Sequence, residues 1–116
     1  MLVVTTEALP GYVIRSVFGE VHGVSARPRN KFVEGIKELD GSTNPRVAHA
    51  LARARQDAVR LMVEAAAQRG ANAVVAMRFD NREITAGWAE ICAYGTAVFV
   101  AVEVSQDEAG RGRYHA

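Results

Sequence analysis

Residues 44–75 read NPRVAHALARARQDAVRLMVEAAAQRGANAVV. This stretch decides the fold, because it holds one helix with its start and stop signals and the opening of a strand. Asn44 is a good N-cap, and Pro45 stands at the first helical position, where its missing N–H costs nothing. Gly70 is placed as the left-handed residue that ends the helix, with Arg69 in the last turn. The helix is expected from about Pro45 to Arg69. At about 100° per residue, Val47, Leu51, Ala54, Ala58, Leu61, Met62 and Ala65 form an apolar stripe. Ala48, Ala52, Val59, Val63 and Ala66 make a second apolar flank, and Arg46, Arg53, Asp57, Arg60 and Glu64 lie opposite. That sector is wider than one sheet face needs, so it predicts a second packing partner, either another element or another subunit.

Arg55 breaks the pattern. On the helical wheel it falls in the middle of the apolar sector, where a guanidinium must snorkel, pair with a carboxylate or meet a bound anion. The expectation is that it reaches off its helix to a carboxylate or backbone carbonyl of another element or subunit. Glu90, Glu20 and Glu34 are the carboxylates to consider.

On the N-terminal side, Leu2–Thr6 is a short β-type run stopped by Pro10-Gly11. Tyr12–Ser25 is rich in Val, Ile, Tyr and Phe and reads as a long strand. Gly19 and Gly23 lie four apart on one of its faces, which suggests a bend or close approach by another backbone. Arg27-Pro28 ends it. Phe32, Val33, Ile36 and Leu39 predict a short helix over Arg29–Leu39, followed by an Asp40–Thr43 loop.

On the C-terminal side, Ala73–Ile84 reads as a strand with Val75, Met77 and Phe79 on one face and Arg78 and Asp80 on the other. Thr85-Ala86-Gly87 is the expected hairpin turn. Trp88–Val104 is a very long strand. Ile91, Ala93, Ala97 and Phe99 face one way; Cys92, Tyr94, Thr96, Val98, Val100 and Val102 face the other. Antiparallel sheets usually leave one face polar, so a strand apolar on both faces predicts an oligomer, with Val98 on the candidate interface. The element order predicts an α+β fold with helices on one face of a sheet. Residues 1–104 form one domain, and 105–116 are expected to be a disordered tail.

The 116 residues suit a single core. Fourteen basic residues against 13 acidic ones leave a net charge of +1, which gives no electrostatic case for nucleic acid or an anionic membrane. No run approaches the roughly 18 apolar residues of a spanning helix, and the N-terminus has no signal-peptide pattern. One cysteine, Cys92, excludes an internal disulfide and fits a reducing compartment. The expected location is cytoplasmic.

No motif specifies a reaction. There is no CxxC, HxH or HExxH for a metal, no GxSxG, and no GxGxxG, since Gly19–Gly23 reads as strand. His49 falls on the polar side of the helix, and His115 lies in the tail. Cys92 and His22 remain as candidate soft-metal donors, with Glu20 sharing the strand face of His22. Zinc takes about four ligands, so two donors predict no tight structural metal. No catalytic residue and no cofactor are expected.

With these elements in place, the chain resembles the YbjQ-like family, small bacterial and archaeal proteins that carry a heavy-metal-binding label. The likeness covers about Leu2–Val102. It rests on Val4-Thr5-Thr6, on Gly19, Val21 and Gly23, on Phe32 with Gly35-Ile36, and on Ala54-Arg55 before the helix continues. Gly70-Ala71-Asn72-Ala73-Val74-Val75 and Tyr94-Gly95-Thr96-Ala97-Val98 are its most specific segments. The resemblance implies a β-α-β-β core with an antiparallel sheet of three to four strands, one long and one short helix, and a ring-like homopentamer. The chain departs from the family at Asp40–Thr43, where the usual segment is Gly-Gly-Arg-Ser, and at Ala48 and Ala50, where acidic residues are common. The expected function is that of a non-enzymatic, homo-oligomeric structural or interaction protein, with small-ligand or soft-metal binding as the alternative. Arg55, Gly19, Gly23, Gly95 and Val98 are its expected structural or interface residues.

Overall fold

The computed structural model describes residues 1–28, 45–85 and 88–104. In chain order these form β1 (Leu2–Val3), β2 (Tyr12–Pro28), α1 (Pro45–Gln68), β3 (Ala73–Thr85) and β4 (Trp88–Val102). The short helix expected over Arg29–Leu39, residues 86–87 of the expected turn and the tail expected over 105–116 lie outside the described residues. No helix among the described residues is long and apolar enough to cross a membrane.

The strands make one sheet in the order β1-β3-β4-β2. β4 pairs antiparallel with both β2 and β3. β1 pairs parallel with β3, Leu2 against Ala73 and Val3 against Val74, so the sheet is mixed rather than antiparallel. The directions explain this. β1 and β2 run the same way on opposite edges of the sheet, so the segment joining them crosses a sheet face. Val4 N donates to Val74 O at 2.9 Å and Ala76 N to Thr6 O at 2.8 Å as the chain departs. Leu9 and Val4 then pack on Val75, Val98 and Val100. Val98 is only 1% exposed within its own chain. Over this part of β4 the second apolar face is covered by the protein's own N-terminal segment.

The opposite face carries α1. Ala54, Ala58, Met62 and Ala66, one per turn, are fully buried against Val21, Val74, Ile91, Ala93 and Ala97. Leu51, Val59, Val63 and Ala65 pack at the margin, while Ala48 and Ala52 are exposed. The helix ends as its sequence directs. Gly70 has φ +88°, Ala71 N donates to Ala66 O at 3.1 Å and Gly70 N to Ala67 O at 3.0 Å. This is the paired C-terminal closure that satisfies the last carbonyls. Asn72 then acts as a short extra strand. Its Nδ2 donates to Val100 O and its Oδ1 accepts from Val100 N, both at 2.8 Å.

Strict alternation fails in β3. The register against β4 shifts between Val75 and Arg78, and Ala76 has φ +54°. This bulge puts Val75 in the cluster under the N-terminal segment and Met77 against the helix cluster, where even spacing put them on one face. An alanine in the left-handed region is disfavoured by about 1–2 kcal/mol, and glycine is not. Ala76→Gly is therefore expected to stabilise the protein by about 1 kcal/mol in urea unfolding. A lowered midpoint would show that the bulge does not need this conformation.

Candidate functional site

The N-terminal segment covers only one end of the sheet face turned away from α1. At the other end no described residue covers that face, and β2, β4 and β3 set alternate side chains side by side. His22 lies opposite Tyr94 and Val24 opposite Cys92. On the other side of β4, Asp80 lies opposite Cys92 and Arg82 opposite Glu90. With Glu20, these residues line an open groove of about 320 Å³. His22 Nδ1 and Glu20 Oε1 are 3.0 Å apart. Arg82 Nε and Glu90 Oε1 are 3.6 Å apart, with the Glu90 side chain 16% exposed and Arg82 largely in water.

Cys92 is a free, half-buried thiol in the middle of this groove. Burial pushes its pKa up from the ordinary 9.0, the carboxylates of Glu90, Asp80 and Glu20 push the same way, and Arg82 opposes them. The thiol therefore stays protonated at neutral pH and is a poor nucleophile. Since the thiolate is the reacting form, a raised pKa means a smaller reactive fraction at pH 8. Iodoacetamide should modify Cys92 more slowly than free cysteine there, with the rate midpoint above pH 9. Glu90→Gln should bring that midpoint down. An ordinary or acidic midpoint would contradict this placement.

Both candidate soft-metal donors, Cys92 and His22, thus share one groove. They are diagonal neighbours on paired strands, about 7–8 Å apart at the backbone. Among the described residues, no three of the His, Cys, Asp and Glu side chains are grouped to hold a metal ion. Of the groove carboxylates, Glu20 is placed beside His22 by sequence, and Asp80 and Glu90 are the part missed. The signal was available, because a hairpin turn centred on Ala86 pairs position 80 with 92 and 82 with 90.

The structural residues fall elsewhere. Gly23 faces α1, and a Cβ there would run into Ala58 O and Met62 N and lie 2.8 Å from Leu61 Cβ. Gly95 faces the β3 bulge, where a Cβ would lie 2.6 Å from Val74 Cγ1 and 3.0 Å from Val75 O. Gly19 has φ +96° at a register shift of β2. Arg69 clamps that shift, its Nη1 donating to Phe18 O at 3.1 Å and Glu20 O at 2.9 Å. Val98 is core, so Val98→Lys would test the fold and not an interface. Arg55 is exposed, with its guanidinium carbon 5.4 Å from the centre of the Phe79 ring on β3. It reaches off its helix to an aromatic face, a cation–π contact, while Glu90 and Glu20 engage Arg82 and His22. Glu34 lies outside the described residues.

A small α+β domain with one helix-covered and one half-open sheet face is the class these features define. Residues 1–101 match the YbjQ family model, described as "Putative heavy-metal-binding". The chain belongs to the YbjQ family. A UPF0145 protein of Acidothermus cellulolyticus is 46% identical over 103 residues, covering 86% of this chain and 95% of that one. A UPF0145 protein of Streptomyces coelicolor is 44% identical over 106 residues, covering 89% and 100%. Among solved structures, a protein of unknown function of the DUF74 family from Pediococcus pentosaceus superposes with a TM-score of 0.56 at 13% identity, covering 87% of this chain and 98% of that one. That likeness concerns the fold alone. Among the described residues fewer than three such side chains are grouped, short of the about four ligands of a structural soft-metal centre.

Proposed function

We propose that this chain is a non-catalytic, self-assembling subunit of a ring-shaped homo-oligomer, pentameric as the family resemblance implies, with a structural or interaction role. The observation that carries this is apolar surface that no described residue covers. Beyond the start of β3, the ends of β2 and β4 continue as a two-stranded ribbon, Tyr12 opposite Val102 and Ser16 opposite Phe99. Val17 is 65% exposed and Val102 71%, and Val13, Ile14 and Phe99 stand open beside them. Isolated two-stranded ribbons are marginal in water, and contiguous apolar patches above a few hundred Å² mark association surfaces. The flat outline, 66 × 31 × 16 Å, supports the same reading.

The groove supports a second reading, capture of a soft cation by Cys92 and His22. One experiment addresses both. Native mass spectrometry of untagged protein at micromolar concentration should give a multiple of the 12.5 kDa chain and no metal mass after dialysis against chelator. A monomer refutes the assembly. One retained metal per chain would favour the second reading.

A further inference from the structure

Among the described residues the sheet has two open edges, one on each side. β2 is the outermost strand on one side. On the other, β1 covers β3 only at Ala73 and Val74, and the departing segment reaches only as far as Met77, whose N donates to Val4 O. Among the described residues, no strand pairs with the outer edge of β3 from Arg78 to Thr85. Unpaired strand edges are templates for another chain.

The two edges differ and complement each other. Exposed apolar side chains occur on both, Met1, Leu2 and Phe79 on one and Val13, Ile14, Val17 and Val24 on the other. On the groove face, the β3 edge presents Arg78, Asp80 and Arg82, and the β2 edge presents Glu20 and His22. The uninterrupted parts also match. Both register shifts of β2 against β4 precede Glu20, so Val21–Pro28 is regular, and it lies level with the open part of β3.

We propose that copies of this chain join edge to edge, β2 of one against β3 of the next, in a single repeating head-to-tail contact. The proposal rests on the self-assembly argued above and names its interface. β2 and β3 run in the same direction, since both are antiparallel to β4. A rotation about an axis along the strands therefore pairs them in parallel, as β1 and β3 already pair. Such heterologous contacts close into rings when the rotation permits. Pairing of β2 with a second β2 would stop at a dimer. It would also leave the Phe79 edge open.

Disulfide trapping tests this. In a Cys92→Ser background, Val24→Cys is combined in turn with Arg78→Cys, Asp80→Cys and Arg82→Cys, then mildly oxidised. Within one chain β2 and β3 are separated by β4, about 9.5 Å apart, beyond the roughly 7 Å that a disulfide spans. Any link is therefore between chains. At least one pair should give a ladder of cross-linked multiples ending at the native oligomer mass, with Val24→Cys alone remaining a single band. A dimer from Val24→Cys alone would overturn the proposal in favour of β2–β2 pairing. No ladder from any pair, with native mass intact, would place the contact elsewhere. A monomeric native mass of the unmodified protein would instead overturn the self-assembly itself. Hydrogen exchange on the unmodified protein checks the same interface without any variant. Amides of Val21–Ala26 and Phe79–Arg82 should lose protection together on dilution, and concentration-independent exchange at both edges would count against the pairing.

Discussion

Gly23→Ala is expected to destabilise the protein by about 3 kcal/mol or more, the upper end for overpacking a tight core. The added methyl group has nowhere to go. It would meet Ala58 O, Met62 N and Leu61 Cβ, and the first two are helix backbone, which no rotamer change can move. α1 would have to lift away from β2. That would loosen the small residues Ala54, Ala58 and Ala66, whose burial depends on the close approach. Gly11→Ala is the matched control. Gly11 has φ +87° and nothing within 4 Å of its added Cβ, so only left-handed strain applies, about 1–2 kcal/mol. Urea unfolding of the two variants separates crowding from strain. Equal losses would show that the helix does not sit this close to β2.

Much of this contact was legible in the sequence. Gly19 and Gly23 on one strand face pointed to a backbone approaching closely, and Asn44-Pro45 with Gly70 bounded the helix to within a residue of its observed end at Gln68. These signals are local, carried by residues whose conformation or missing side chain permits one arrangement. What escaped is non-local. The two residues of β1 carry no mark of their parallel partner. The crossing that buries Val98 becomes visible only once β1 and β2 lie on opposite edges. The bulge at Ala76 has no glycine to announce it, so period-2 counting sets Val75 and Met77 on one face, where the structure puts them on opposite faces. Arg55 lies off the buried line because the two apolar flanks are not equivalent. The sheet takes the line Ala54, Ala58, Met62 and Ala66, and the small residues Ala48 and Ala52 lie in solvent, so the centre of the sector lies away from Arg55. The groove was half legible. Cys92 and His22 stood out by residue type, but Asp80 and Glu90 join them only through the hairpin register.

Met62→Ala follows from the same geometry and should cost about 4 kcal/mol, towards the top of the 2–5 kcal/mol seen for large-to-small core changes. The line of α1 that faces the sheet is Ala54, Ala58, Met62 and Ala66, each with no exposure, so Met62 supplies nearly all of its side-chain volume. The penalty for truncation depends on how far the surroundings can close over the space left behind. Here they cannot close, because α1 already touches the β2 backbone at Gly23 through Ala58 and Met62. The helix cannot sink further, and the cavity stays open. Against the 5–15 kcal/mol of an ordinary domain, the loss should be evident as a fall in the urea midpoint at nearly unchanged slope. Met62→Leu conserves the volume and should stay within about 1.5 kcal/mol. A Met62→Ala loss below about 1 kcal/mol would mean that the helix does relax onto the sheet, and the rigid stop assigned to Gly23 would be wrong with it.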